Sequence, residues 1–135
     1  MPYVKQERRL ELASRLNEIQ SIIDNDVAFT FIEILHHVVS TLSPDMFKTP
    51  NELSSGDMNY LITQGCLYYL SKTEGKYADH QEIVDSLFEV RDSLPDHTTT
   101  IDNRRGALLC CALEFYRRKI APYEDEKRIC NGDVY

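Results

Sequence analysis

Apolar residues return at three- and four-residue steps in five stretches of this chain, and prolines, glycines and short polar runs separate the stretches. Such spacing gathers side chains on one face of an α-helix, whereas a half-buried strand needs strict alternation. Five helices are therefore predicted. The first covers Lys5 to Asp24, with Leu10, Ala13, Leu16, Ile19 and Ile23 as its stripe and charges on the opposite face. The second starts at Asp26, whose side chain caps the amino end, and buries Val27, Phe31, Ile34, Leu35, Val38 and Val39. It ends at about Leu42, because Ser43 precedes a proline and is pushed out of helical geometry. Its β-branched and aromatic content leaves a strand over residues 28–34 as the competing reading.

Residues 43–55 hold two prolines and the polar run TPNELSSG, and form a connector with one helical turn around Met46. The third helix begins near Ser55, capped by Ser54 or Ser55, with Asp57 at the positive end of the helix dipole, and runs through MNYLITQGCLYYLSK. Gly65 costs about 1 kcal/mol against alanine at mid-helix. With Thr63 and Cys66 beside it, the position is suited to the close approach of another helix. The fourth helix, Ala78 to Leu94, repeats Ile83, Leu87, Val90 and Leu94, and Pro95 stops it. Residues 96–103, DHTTTIDN, read as a loop from which Thr100, Asp102 or Asn103 caps the last helix. That helix spans about Arg104 to Ile120 and presents Leu108, Ala112, Phe115, Tyr116 and Ile120 on one side. Beyond Pro122 the run YEDEKRI adds a helical turn or two, and residues 128–135 form a loose tail. The predicted architecture is an all-α compact bundle of about five helices in a single domain, 1–135, with the C-terminal helix central.

A chain of 135 residues buries enough surface to need no metal or disulfide, and no apolar run approaches the ~20 residues of a membrane span. The first 16 residues lack the apolar core of a secretory signal, so the expected location is the cytoplasm. Four cysteines show no Cys-x-x-Cys spacing, so reduced thiols are expected, with Cys66, Cys110 and Cys111 as small buried hydrophobes and Cys130 exposed. Cys110 and Cys111, being adjacent, face different sides of their helix. The net charge of −7 is uneven: +1 over residues 1–23, −10 over 24–102 and +2 over 103–135. An acidic centre argues against general nucleic-acid binding, which needs clustered lysine and arginine, while a small anionic ligand at a local arginine pair is compatible with it.

The segments GDMNYLIT (56–63), LEFYRR (113–118), APYEDEK (121–127) and NGDV (131–134), with the opening Met-Pro-Tyr, resemble a family of short proteins found mainly in bacteriophages, prophages and bacteria. That resemblance brings no established activity with it. It implies that residues 78–100 are an inserted helix and loop, since the counterpart of Tyr77 usually leads within a few residues into the last helix. Leu109 and Ala112 stand where the family often carries charge, which implies a more apolar last helix that packs on the inserted helix or on another subunit.

Arg117 and Arg118 offer paired guanidinium donors to a phosphate or carboxylate, with Tyr116 or Tyr123 as a stacking surface. The competing reading is intrachain pairing with Glu114, Glu124, Asp125 or Asp57. Asn59 and Tyr60 join this candidate site if the third and last helices pack together, Asn59 serving either as a ligand contact or as a buried polar residue fixing register. His36 and His37 have no partner at zinc-helix spacing, and His80 and His97 are expected to face solvent. Asp79, Glu82, Asp85, Glu89 and Asp92 make a solvated face. No nucleophile with an oriented base, phosphate loop, metal set or cofactor motif is present. Expected function is therefore non-enzymatic: a phage or prophage accessory protein that binds a host bacterial protein or itself, counter-defence being one instance. The alternative is sequestration of an anionic nucleotide or metabolite at Arg117 and Arg118.

Overall fold

The computed structural model describes residues 4–25, 30–42, 54–73, 76–94 and 99–133, with the backbone alone at Ser55 and 99–103. These residues form α1 (Gln6–Glu11), α2 (Ala13–Asn25), α3 (Phe31–Thr41), α4 (Ser55–Leu70), α5 (Tyr77–Ser93), α6 (Thr99–Phe115), a π-helical turn (Tyr116–Ile120) and α7 (Ala121–Asn131). The protein is an all-α bundle, and no strand occurs among the described residues. Among the described residues no helix is long and apolar enough to cross a membrane.

The first predicted helix is broken at Leu12, which takes ψ −2° between α1 and α2. The break moves the buried stripe. Leu12, Ile19 and Ile23 lie in the core, Leu16 packs partly against it, and Leu10 and Ala13 are exposed instead of buried as their spacing suggests. A uniform helix would carry Leu10 round to the inner face; Leu12 claims that place after the break. In α3 the expected side is the buried one, Phe31, Ile34, Leu35, Val38 and Val39, and Leu42 closes it. Residues 31–34 are helical, so the strand reading is overturned there. The proposed cap Asp26 and apolar Val27 lie outside the described residues, as do the helical turn at Met46, His97, and the side chains of Thr100, Asp102 and Asn103.

α4 runs through the middle. Met58, Leu61, Ile62, Cys66 and Leu70 are buried on it, α2 packs on one flank and α6 on another. A capping box fixes its start: Ser54 Oγ accepts from Asp57 N at 3.1 Å, and Ser54 N donates to Asp57 Oδ2 at 3.0 Å. Gly65 faces α2, where a Cβ would stand 3.1 Å from Ile19 Cγ2. That is the close helix approach the small residues suggest. Asp24 joins the far ends of α2 and α4 by accepting from Tyr68 Oη at 2.7 Å and pairing with Lys72.

α5 buries Ile83, Val84, Leu87 and Val90 and packs against both α3 and α6. The segment that resembles an insertion is thus an integral layer of the core. α6 begins at Thr99, so residues 99–103 of the predicted 96–103 loop are helical. Ala107, Leu108, Cys111, Ala112 and Phe115 are buried where α6 meets α4 and α5, which makes it central as expected. Cys110 points outward, a correction to its expected burial that follows from the buried position of its neighbour Cys111. Cys66 and Cys111 are buried and Cys130 is exposed, all as free thiols.

Pro122 does not end the helix. A proline ring clashes with the carbonyl four residues earlier, here Arg118, and the chain absorbs the conflict by widening to a π turn over Tyr116–Ile120. Ala121 N then bonds to Tyr116 O, five residues back, and α7 continues to Asn131 before Gly132 stops it at φ 88°. The first four residues of the predicted tail are helical for the same reason.

Candidate functional site

The π turn sets consecutive cationic residues, Arg117, Arg118 and Lys119, at the surface where α6 passes into α7. Facing it on α4, Tyr60, Thr63, Gln64 and Leu67 share one face by their three- and four-residue spacing. Between them lies an open groove of about 710 Å³, which Arg9 of α1 also lines. Glu114, Phe115, Arg118 and Lys119 complete its wall. Three cations and one carboxylate therefore surround a floor that is aromatic at Tyr60 and apolar at Leu67 and Phe115.

Arg9 reaches the groove because its neighbour is anchored. Arg8 Nη2 donates to Asp57 Oδ2 at 2.8 Å and its Nε lies 3.2 Å from both carboxylate oxygens, pinning α1 onto the start of α4. Burial alone would raise the Asp57 pKa, but the hydrogen bonds and charge of Arg8 and the bonds from Ser54 outweigh it and hold the carboxyl below its usual range. The hydrogen bonds to Asp57 and Glu11 raise the Arg8 pKa above its already high value. With α1 fixed, the Arg9 guanidinium sits 5.8 Å from the centroid of the Tyr60 ring and donates from Nε to Val4 O at 3.1 Å.

The structure divides the six residues singled out from the sequence. Tyr60 and Arg118 line the groove. Arg117 lies outside the lining, and both arginines are salt-bridged to Glu114, Arg118 through Nε at 2.7 Å and Arg117 through Nη2. Intrachain pairing is thus present, with Glu114 as a shared partner; of the other carboxylates named beforehand, Asp57 pairs with Arg8, Asp125 with Arg128, and Glu124 with tyrosines.

Tyr116 and Tyr123 do not face the groove. Tyr116 Oη donates to Glu124 Oε2, which raises the Tyr116 pKa, and Tyr77 Oη lies 3.4 Å from Glu124 Oε1. Tyr123 stacks on Tyr77 at 4.4 Å between centroids and 25° between planes, with Lys127 Nζ 5.5 Å from its ring. This cluster holds α7, which buries no residue of its own, against α5. Replacing Tyr123 by alanine is expected to remove about 1 kcal/mol of stacking and fray α7 first. Faster amide exchange confined to 123–131 is the result to look for, and uniform protection would contradict it.

Asn59 lies behind the groove wall. It is 1% exposed, its Oδ1 is 3.2 Å from Thr63 Oγ1, and among the described residues Nδ2 has no hydrogen-bond partner. The Thr63 hydroxyl is also 3.4 Å from Cys111 Sγ, and its single proton serves one acceptor at a time. The Cys66 pKa is pushed well up by its hydrogen bond to Cys111 and by burial, so Cys66 is held as a thiol. His80, expected in solvent, is half-buried, and burial together with the Lys119 charge lowers its pKa.

Arg9, Thr63, Gln64 and Lys119 are groove residues that the sequence reading did not single out. The α4 stripe was visible as spacing; Arg9 was not, since its place depends on the long-range Arg8–Asp57 contact. Among the described residues no group of three or more histidine, cysteine, aspartate or glutamate side chains is arranged to hold a metal.

Searches among curated proteins and among solved structures returned no match to the chain. A family model described as a domain of unknown function, DUF6899, matches residues 1–99 and again residues 92–134. Since those two stretches take in α1, α4 and the π turn, and nearly the whole sequence with them, the chain belongs to the DUF6899 family.

Proposed function

We propose that the protein is a binding module rather than a catalyst, and that its ligand is a small organic anion with an aromatic part, held in the groove between α1, α4 and the π turn. The observation that carries this reading is the convergence of Arg9, Arg118 and Lys119, from two distant parts of the sequence, around the ring of Tyr60 in a molecule whose net charge is −7. A guanidinium and an ammonium hold the anionic end, and Tyr60, Leu67 and Phe115 cover the ring. A π turn within a longer helix is a frequent companion of such sites. Together with the resemblance to phage and prophage proteins, this reading makes the chain an accessory protein of the bacterial cytoplasm that sequesters a nucleotide or related metabolite.

Adenosine 5′-monophosphate, which joins a ring to a phosphate, is a suitable probe. Arg118→Ala and Tyr60→Ala are each expected to weaken its binding by about tenfold or more, the worth of one charge-assisted bond or one stacked ring. Arg117→Ala and Tyr123→Ala are expected to leave it within about twofold, since neither residue lines the groove. No calorimetric binding by the wild type, and no co-purifying anion in native mass spectrometry of several preparations, would sink the reading.

A second reading has its own support. Leu10, Leu113 and Ile129 are 79%, 56% and 78% exposed, and α7 packs little of its surface on the bundle. Such residues suit contact with a host protein or with a second copy of the chain. Light scattering that finds a strict monomer at high micromolar concentration removes the second copy, and an empty pull-down from a bacterial host removes the first.

A further inference from the structure

We infer that Glu114 is a resident counter-anion of the groove, and that a ligand must take its place on Arg118, which makes the site selective for dianionic phosphomonoesters over monocarboxylates. This inference rests on the groove being a ligand site. Glu114 belongs to the wall of the groove, and its Oε1 accepts from Arg118 Nε at 2.7 Å. Its side chain is 23% exposed, against 54% for Arg118, so the carboxylate lies inward of the guanidinium it neutralises.

The contact occupies Nε, one of the two donors on the edge of Arg118 that an oxyanion takes in a forked, two-bond grip. A carboxylate ligand replacing Glu114 on Arg118 exchanges one monoanion for another, gains little, and still meets the displaced Glu114 charge nearby. A phosphomonoester carries close to two charges and three acceptor oxygens, so the same group reaches Lys119 and Arg9 while it holds Arg118. Glu114 also keeps Arg117 and Arg118 ordered in the absence of ligand, at the expense of affinity.

The test uses phenyl phosphate and benzoate, which share a ring and differ in the anion, titrated calorimetrically into the full chain. In the wild type phenyl phosphate is expected to bind and benzoate to bind at least about tenfold more weakly. Glu114→Gln keeps the shape and removes the charge; it is expected to tighten phenyl phosphate about tenfold and to bring benzoate into measurable range. Glu114→Ala moves both in the same direction, and adding Arg118→Ala to either variant cancels the gain. If the wild type binds phenyl phosphate and Glu114→Gln leaves it unchanged or weaker, the counter-anion role is wrong and the groove reading survives. Equal binding of benzoate and phenyl phosphate to the wild type overturns the selectivity. If neither the wild type nor either variant binds phenyl phosphate, the groove reading fails and the role of Glu114 falls with it.

Discussion

Asp57→Ala is expected to destabilise the fold by about 3 kcal/mol, the usual cost of breaking a buried ion pair from one side, and to lower the melting temperature by about 10 °C. The carboxylate is 4% exposed and meets Arg8 through three contacts of 2.8–3.2 Å. Alanine also removes the half of the capping box in which Ser54 N donates to Asp57 Oδ2, while the Ser54 cap on the backbone N–H of residue 57 stays in place. Acid should reproduce part of the loss. Because the folded Asp57 pKa is depressed below the unfolded value of ~3.9, its contribution is complete above that pH and disappears as pH falls through the folded pKa. Thermal melts from pH 6 down to pH 2 should therefore show the wild type converging on the variant below about pH 4. An Asp57→Ala protein that melts within 2 or 3 °C of the wild type at ~pH 6 would show that Arg8 does not anchor α1. The groove should feel the change as well, since Arg9 stands at Tyr60 only while α1 is pinned.

Gly65→Leu is expected to be of similar size, about 3 kcal/mol, at the upper end of overpacking costs. Even a methyl at this position would lie 3.1 Å from Ile19 Cγ2, and Ile23 Cδ1 is only 3.9 Å away. Gly65→Ala is the informative control. It gains up to about 1 kcal/mol of helix propensity and loses a comparable amount to that contact, so it should fall close to the wild type. Ile19→Ala removes the obstructing methyl, and the double variant with Gly65→Leu should cost less than the sum of the single changes. Strict additivity in chemical denaturation would mean that α2 and α4 are not in contact there.

The helices were legible wherever burial is one-sided. α3 turns its predicted stripe to the core, and α5 buries the predicted Ile83, Leu87 and Val90 together with Val84, while Leu94 is only partly covered. The pattern failed where local rules were overridden. Leu10 has the right spacing but sits before the break at Leu12, and the helical turns read beyond Pro122 are present but run on to Asn131, into the stretch read as a tail. Arg117 and Arg118 attracted notice as a pair, yet neighbours on a helix diverge by about 100°, and only Arg118 turns into the groove. Tyr60 was legible on the condition that the third and last predicted helices pack together, and α4 and α6 do. Arg9 was hidden, since no local feature says that the first helix folds back over the third predicted one. Asn59 was visible in both of its readings, and its burial behind Thr63 favours the structural one.

The wide turn at Tyr116–Ile120 also ties two otherwise unrelated surfaces to a single count of residues. Run as ordinary helix, the same five residues would turn everything downstream about 100° further round the axis and carry Tyr123 away from Tyr77; the wide turn takes up that extra residue. The turn thus holds one residue more than an ordinary helix would place there, and keeps the groove face of α6 and the tyrosine face of α7 in phase with each other.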